Sequence, residues 1–177
     1  NAGVFVASVV EQYNIPLVIM PAIFFVVALL LAFSTGTSWG TFAILLPITV
    51  SVFGDQLLPL TAITTAAVLG GSVCGDHISP ISDTTILSST GADCSHINHV
   101  ETQMQYGLVV AIITVICYLA SGLTQNTLIG FVLGFILLIG FLLLAKLFYK
   151  KRANKKISCE DLFRTDLPPE TLHTPTR

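Results

Sequence analysis

Between Gly75 and Thr85 the chain reads Gly-Asp-His-Ile-Ser-Pro-Ile-Ser-Asp-Thr-Thr. Two carboxylates, Asp76 and Asp83, stand seven residues apart, and Ser79, Ser82, Thr84 and Thr85 set hydroxyl oxygens around them. Carboxylates, hydroxyls and free backbone carbonyls are hard oxygen ligands, suited to alkali and alkaline-earth cations. Pro80 has no N–H and disfavours helix at Ser79, so it predicts a break. The carbonyls released there need a partner, and a cation or water is the natural one. Poor hydration disfavours a bare carboxylate, so an acid in such a place takes either a proton or a sodium ion. That competition is the physical basis of exchange. His77 carries an imidazole, the side chain that ordinarily changes charge near neutral pH. It would relay a proton, although a hydrogen-bonded structural histidine fits the same position.

A second constellation is Ser34-Thr35-Gly36-Thr37-Ser38-Trp39-Gly40, where hydroxyls alternate with glycines between apolar arms. Read as a hairpin tip, it would present Ser34, Thr35, Thr37 and Ser38 to an ion or an anionic substrate. Other polar groups carry less. His96 and His99, with Asp93 and Glu101, read as a solvated face. Cys74, Cys94, Cys117 and Cys159 lack CxxC spacing. A zinc site from Cys94, His96 and His99 would want a fourth ligand at a usual spacing.

The elements that must hold these residues are apolar. Of 177 residues 53% are hydrophobic and 10% charged, against about 25% charged in soluble domains. All eight Lys and Arg lie from Lys146 onward, while residues 1–145 hold six acids. A membrane domain over 1–149 followed by a basic tail over 150–177 explains that split. Stretches 104–123 and 128–145 are uncharged and long enough to span a core of about 30 Å. Lys146, Lys150, Lys151, Arg152, Lys155 and Lys156 follow at once and mark the cytoplasmic side. The tail to Arg177, with Pro168, Pro169 and Pro175, reads as solvated and weakly ordered.

Upstream the pattern is less regular. Stretch 15–33 can span, with Pro16 and Pro21 in its first turns, where proline is tolerated. Stretches 41–53, with Pro47 inside, and 60–75 are short. Short apolar pieces divided by Gly, Ser, Thr and Pro predict re-entrant hairpins and broken helices, which transporters use to build midplane sites. Counting from a cytoplasmic tail puts residues 124–127 outside and 91–103 inside, and 54–59 outside if stretch 60–90 crosses once. Gly70-Gly71 and Gly130-x-x-x-Gly134 read as packing devices. The chain starts without Met or a signal peptide. Residues 4–10 read as the end of an element begun earlier, so the expectation is the C-terminal part, about half, of a longer protein.

The stretches Ser34–Phe42 and, above all, Gly75–Gly91 resemble those of the NhaC-type sodium/proton antiporter family of the wider ion-transporter superfamily. The likeness covers roughly residues 18–125. It implies an all-α polytopic inner-membrane protein with a re-entrant hairpin and broken transmembrane helices, one half of an inverted-repeat transporter. The activity implied is exchange of Na⁺ for H⁺, or in some similar proteins of malate and lactate along with those ions. By that likeness the hairpin tip and the Asp76–Thr85 break belong to one repeat, and the partner repeat lies in the N-terminal half outside this chain. No cofactor is implied beyond the transported Na⁺ and H⁺, and no metal beyond Na⁺. The implied partners are membrane lipid, the ions, small organic acids and that N-terminal half, with a homodimer compatible and no nucleic acid. An intramembrane aspartyl protease is the distant alternative, since two acids on one segment are poorly placed to form a dyad.

Overall fold

In the computed structural model the described residues are 2–53 and 58–164, with side chains through 148. Seven α-helices and no strand occur among them. They are α1 (Ala2–Gln12), α2 (Met20–Thr35, preceded by a 3-10 turn over Leu17–Ile19), α3 (Ser38–Phe53), α4 (Leu58–Ile78), α5 (Asp83–Gly91), α6 (His96–Thr124) and α7 (Thr127–Arg164). Four stretches are long and apolar enough to cross a membrane: Leu17–Thr35, Leu58–Ile78, His96–Thr124 and Thr127–Phe148. The all-α architecture expected from composition holds.

Several boundaries move. Stretch 60–75 reads as short because Asp76 and His77 end its apolar run. The helix nevertheless continues to Ile78 as α4, 21 residues or about 31 Å, because backbone i→i−4 bonds do not depend on side-chain polarity. Stretch 96–103, expected in a cytoplasmic loop, is the first part of α6. Pro47 sits inside α3 without ending it. The tail expected to be weakly ordered is helical through Arg164. Residues 54–57 of the expected outer loop and 165–177 with their prolines lie outside the described residues.

Two compact units divide the chain, one through Ile136 and the other from Leu137. The second consists, among the described residues, of the later turns of α7, apolar and exposed at Ile139 and Leu142–Leu144. The first holds every candidate site residue. In it, side chains of Met20, Phe24, Ala28, Leu45, Leu60 and Val68 form one core cluster, joined by Val10 of α1 and Phe53 of α3. Phe25, Ala67 and Ala111 form another, flanked by Tyr118, whose hydroxyl donates to the Ala66 carbonyl at 3.0 Å.

Close helix contact depends on small residues, as expected where lipid tails are as apolar as Leu. Gly71 lies against the Phe25 carbonyl and Ala28, and Gly75 against the backbone of Leu29 and Phe33. Gly122 meets the Val18 carbonyl, and Gly130 packs on Cys117 and Ser121. Buried hydroxyls inside helices serve their own backbone: Thr49, Thr64 and Ser72 each donate to the carbonyl four residues earlier.

Candidate functional site

Helix α4 stops at Ile78 and α5 starts at Asp83, leaving Ser79–Ser82 unwound. Pro80 explains the stop, because its missing N–H ends the ladder. Every freed backbone group named here finds a protein partner, as buried polar groups must. The Asp76 carbonyl accepts from Ser79 N–H at 3.2 Å, and the Ser79 carbonyl from Ser82 N–H at 3.4 Å. The His77 carbonyl accepts from Thr85 Oγ1 at 3.2 Å. The Pro80 carbonyl lies 2.8 Å from His96 Nε2. Released carbonyls at His77 and Pro80 thus each have one protein partner.

Side-chain oxygens at the break form a directed chain. Ser82 Oγ donates to Asp76 Oδ1 at 2.7 Å. Its only proton is then spent, so the contact of 2.8 Å with Thr84 Oγ1 runs from Thr84 to Ser82. Ser82 Oγ also accepts from Thr84 N–H at 3.2 Å, capping α5. Asp76 is 8% exposed and Ser82 fully buried. Asp76 Oδ2 has no protein hydrogen bond among the described residues. One carboxylate oxygen is thus fixed by Ser82, and the other is available to a proton or a cation.

The remaining expected ligands divide. Ser79 is fully buried and donates to the Phe33 carbonyl at 2.7 Å, tying the break to α2. Thr85, also buried, is held on the His77 carbonyl. These two hydroxyls fasten backbone and do not join the Asp76–Ser82–Thr84 chain. Asp83 is exposed on the first turn of α5. His77 is exposed as well, and adjacent helix residues point about 100° apart. Its ring lines an apolar groove with Cys74, Gln103, Tyr106 and Gly107, and no hydrogen bond links it to Asp76 among the described residues.

The Ser34–Gly40 stretch holds the last two residues of α2, a tight Gly36-Thr37 turn and the first three residues of α3. Gly36 caps α2 with a left-handed backbone, φ 67°. A Cβ there would also meet the Ile81 carbonyl oxygen at 2.9 Å, so the turn and the break touch. Ser34 and Thr35 donate to the Leu30 and Leu31 carbonyls of their own helix at 2.7 and 2.8 Å. Thr37 Oγ1 accepts from Gly40 N–H at 3.4 Å, and Ser38 is buried. The two constellations read separately from the sequence adjoin in space.

The solvated face assigned to His96 and His99 is corrected. His96 is half-buried between Pro80 and Ser89, whose Oγ lies 3.2 Å from Nδ1. His99 Nε2 lies 3.0 Å from Ser88 Oγ. The four-residue connection 92–95 forces the start of α6 against α5. The available signal was the i, i+3 spacing, which sets both rings on one helix face.

Ser79→Ala tests the fastening role. It removes the donor to the Phe33 carbonyl in a part-buried contact, a loss of about 0.5–1.5 kcal/mol. The expected result is a lower melting temperature of the detergent-extracted full-length protein. Unchanged melting would contradict that role.

The sequence profile described as the Na⁺/H⁺ antiporter family matches residues 1–123. The chain belongs to that family. It is 50% identical over 131 residues to a Haemophilus influenzae protein described as uncharacterized, covering 74% of the chain and 25% of that protein. It is 33% identical over 133 residues to the arginine/ornithine antiporter ArcD of Halobacterium salinarum, covering 69% and 27%. It is 33% identical over 111 residues to the malate-2H(+)/Na(+)-lactate antiporter of Bacillus subtilis, covering 59% and 23%. The chain spans about a quarter of the length of these curated relatives, less than the half expected. No solved structure matches it.

Proposed function

We propose that the chain is part of a secondary antiporter that exchanges Na⁺ for H⁺ across the inner membrane by alternating access, with Asp76 as the exchanged site. The observation that carries this reading is the buried Asp76 carboxylate at a helix break, with Oδ1 held by Ser82 at 2.7 Å. A proton or a sodium ion on Oδ2 neutralises the same charge, so each displaces the other. Ser82 and Thr84 complete the near oxygens, and Asp83 adds a second carboxylate on the exposed turn. Ser79 and Thr85 hold the backbone in shape. The Gly36-Thr37 turn, flanked by Ser34, Thr35 and Ser38, backs the break at Gly36. The remainder of the site comes from parts of the protein outside this chain, by the inverted-repeat plan that the NhaC-type likeness implies. Lysines and arginines from Lys146 onward support a cytoplasmic C-terminus.

A second reading, sodium- or proton-coupled exchange of organic acids or amino acids, is favoured by the names of the two antiporter relatives. Proteoliposomes holding the full-length protein separate the two. Under the leading reading, external Na⁺ alone drives internal pH change, and malate, lactate, arginine and ornithine add nothing. Ion movement that requires one of those solutes would replace it with the second reading. No Na⁺ response and no solute response would reject both.

A further inference from the structure

We infer that His96 is a positioning residue for the ion site, acting through the Pro80 carbonyl; this rests on the antiport reading above. The unwound segment Ser79–Ser82 separates Asp76 from its partner Ser82, so the geometry of their bond depends on how that segment is held. On one side Ser79 donates to the Phe33 carbonyl of α2 at 2.7 Å. On the other, His96 Nε2 reaches the Pro80 carbonyl at 2.8 Å, from sixteen residues further along the chain. Those two side chains bind the break to the helices on either side of it.

Proton accounting fixes the roles. A carbonyl only accepts, so Nε2 carries a proton and donates to Pro80. Nδ1 faces Ser89 Oγ at 3.2 Å, but Ser89 gives its one proton to the Ile86 carbonyl at 2.9 Å, so the directed bond of the ring is the one from Nε2 to Pro80. Ser89 is 2% exposed and braces the ring from α5. The imidazole is thus bonded at Nε2 and packed against Ser89 at Nδ1. It spans α6, the break and α5 at once. A solvated histidine would do none of this, and the Pro80 carbonyl that the ring holds belongs to the segment linking Asp76 to Ser82.

Without this donor the break can relax, the Ser82–Asp76 bond loses its fixed geometry, and cation affinity falls. Glutamine can place an amide N–H near the position of Nε2, whereas alanine cannot. The test is sodium-driven exchange by the full-length protein in proteoliposomes, normalised to folded protein. His96→Ala is expected to raise the half-saturating Na⁺ concentration about fivefold, the factor that about 1 kcal/mol for one hydrogen bond gives. The maximal rate stays within about twofold. His96→Gln is expected to recover most of the affinity.

An unchanged half-saturation in His96→Ala would overturn the inference, as would a glutamine variant no better than alanine. Deuterium uptake by peptides covering residues 78–83 is read on the same proteins without transport. It is expected to be faster in His96→Ala and near wild type in His96→Gln. If wild-type protein shows no sodium-driven exchange, the antiport reading fails by itself, and the uptake comparison alone then decides the clamp on Pro80. Unchanged uptake would overturn it.

Discussion

Asp76→Asn in the full-length protein is expected to abolish sodium-driven proton movement in everted vesicles, by at least about a hundredfold, or about 2.7 kcal/mol. Insertion and melting should stay near wild type. Asparagine has the same shape, and its Oδ1 still accepts from Ser82 Oγ, which reaches Asp76 at 2.7 Å. The N-capping of α5 by Ser82 is therefore kept. What disappears is the charge, together with the oxygen that takes a proton or a cation. In its place stands an NH₂ group, a donor that repels a cation. Asp83→Asn is the informative contrast. That carboxylate is exposed, so its loss should raise half-saturating Na⁺ several-fold while exchange continues. A dead Asp83→Asn protein beside an active Asp76→Asn protein would move the site to α5 and sink the assignment made here.

That ranking of the two acids is something the sequence does not contain. Both stand in an apolar domain and both lie near Pro80, so composition treats them alike. The break itself was legible, because a missing N–H at Pro80 is a local property of one residue. So was the oxygen-rich character of the segment. Which hydroxyl faces the carboxylate was not, since it depends on the turn of Ser79–Ser82 and on a carbonyl at Phe33, 46 residues away from Ser79. His96 was misread for a related reason. A run of Asp, Cys, Ser, His and Asn resembles a wet loop, and only the short 92–95 connection reveals that it is pressed against α5. The length of α4 was underestimated because polarity marks where an apolar run ends, while backbone hydrogen bonds decide where a helix ends. Family membership came from motifs, and the motif residues turned out to include fasteners such as Ser79 and Thr85 beside candidate ligands.

The packing that brings α2 to the break is the second place where one atom should matter greatly. Gly71 and Gly75 are four residues apart, on one face of α4. Their missing side chains admit the backbone of Phe25 at one level and of Leu29 and Phe33 at the next. A Cβ at position 75 would run into the Leu29 carbonyl and the Phe33 N, main-chain atoms that cannot swing aside as a side-chain tip can. Overpacking of that kind costs about 1–3 kcal/mol or more, and no hydrophobic gain offsets it in lipid. Gly75→Ala should therefore lower the melting temperature by about 5 °C or more, and Gly75→Val should leave little folded protein on size-exclusion chromatography after detergent extraction. Gly91→Ala is the control. A Cβ there meets nothing within 4 Å, and alanine favours helix over glycine by about 1 kcal/mol, so stability should hold or rise. The chemistry follows the packing, because pushing α2 off α4 takes the Phe33 carbonyl away from Ser79 and slackens the loop that sets Ser82 against Asp76. Surviving Gly75→Ala protein should consequently bind Na⁺ more weakly than wild type. Wild-type melting together with wild-type sodium affinity in that variant would show that the α2–α4 contact does not set the site.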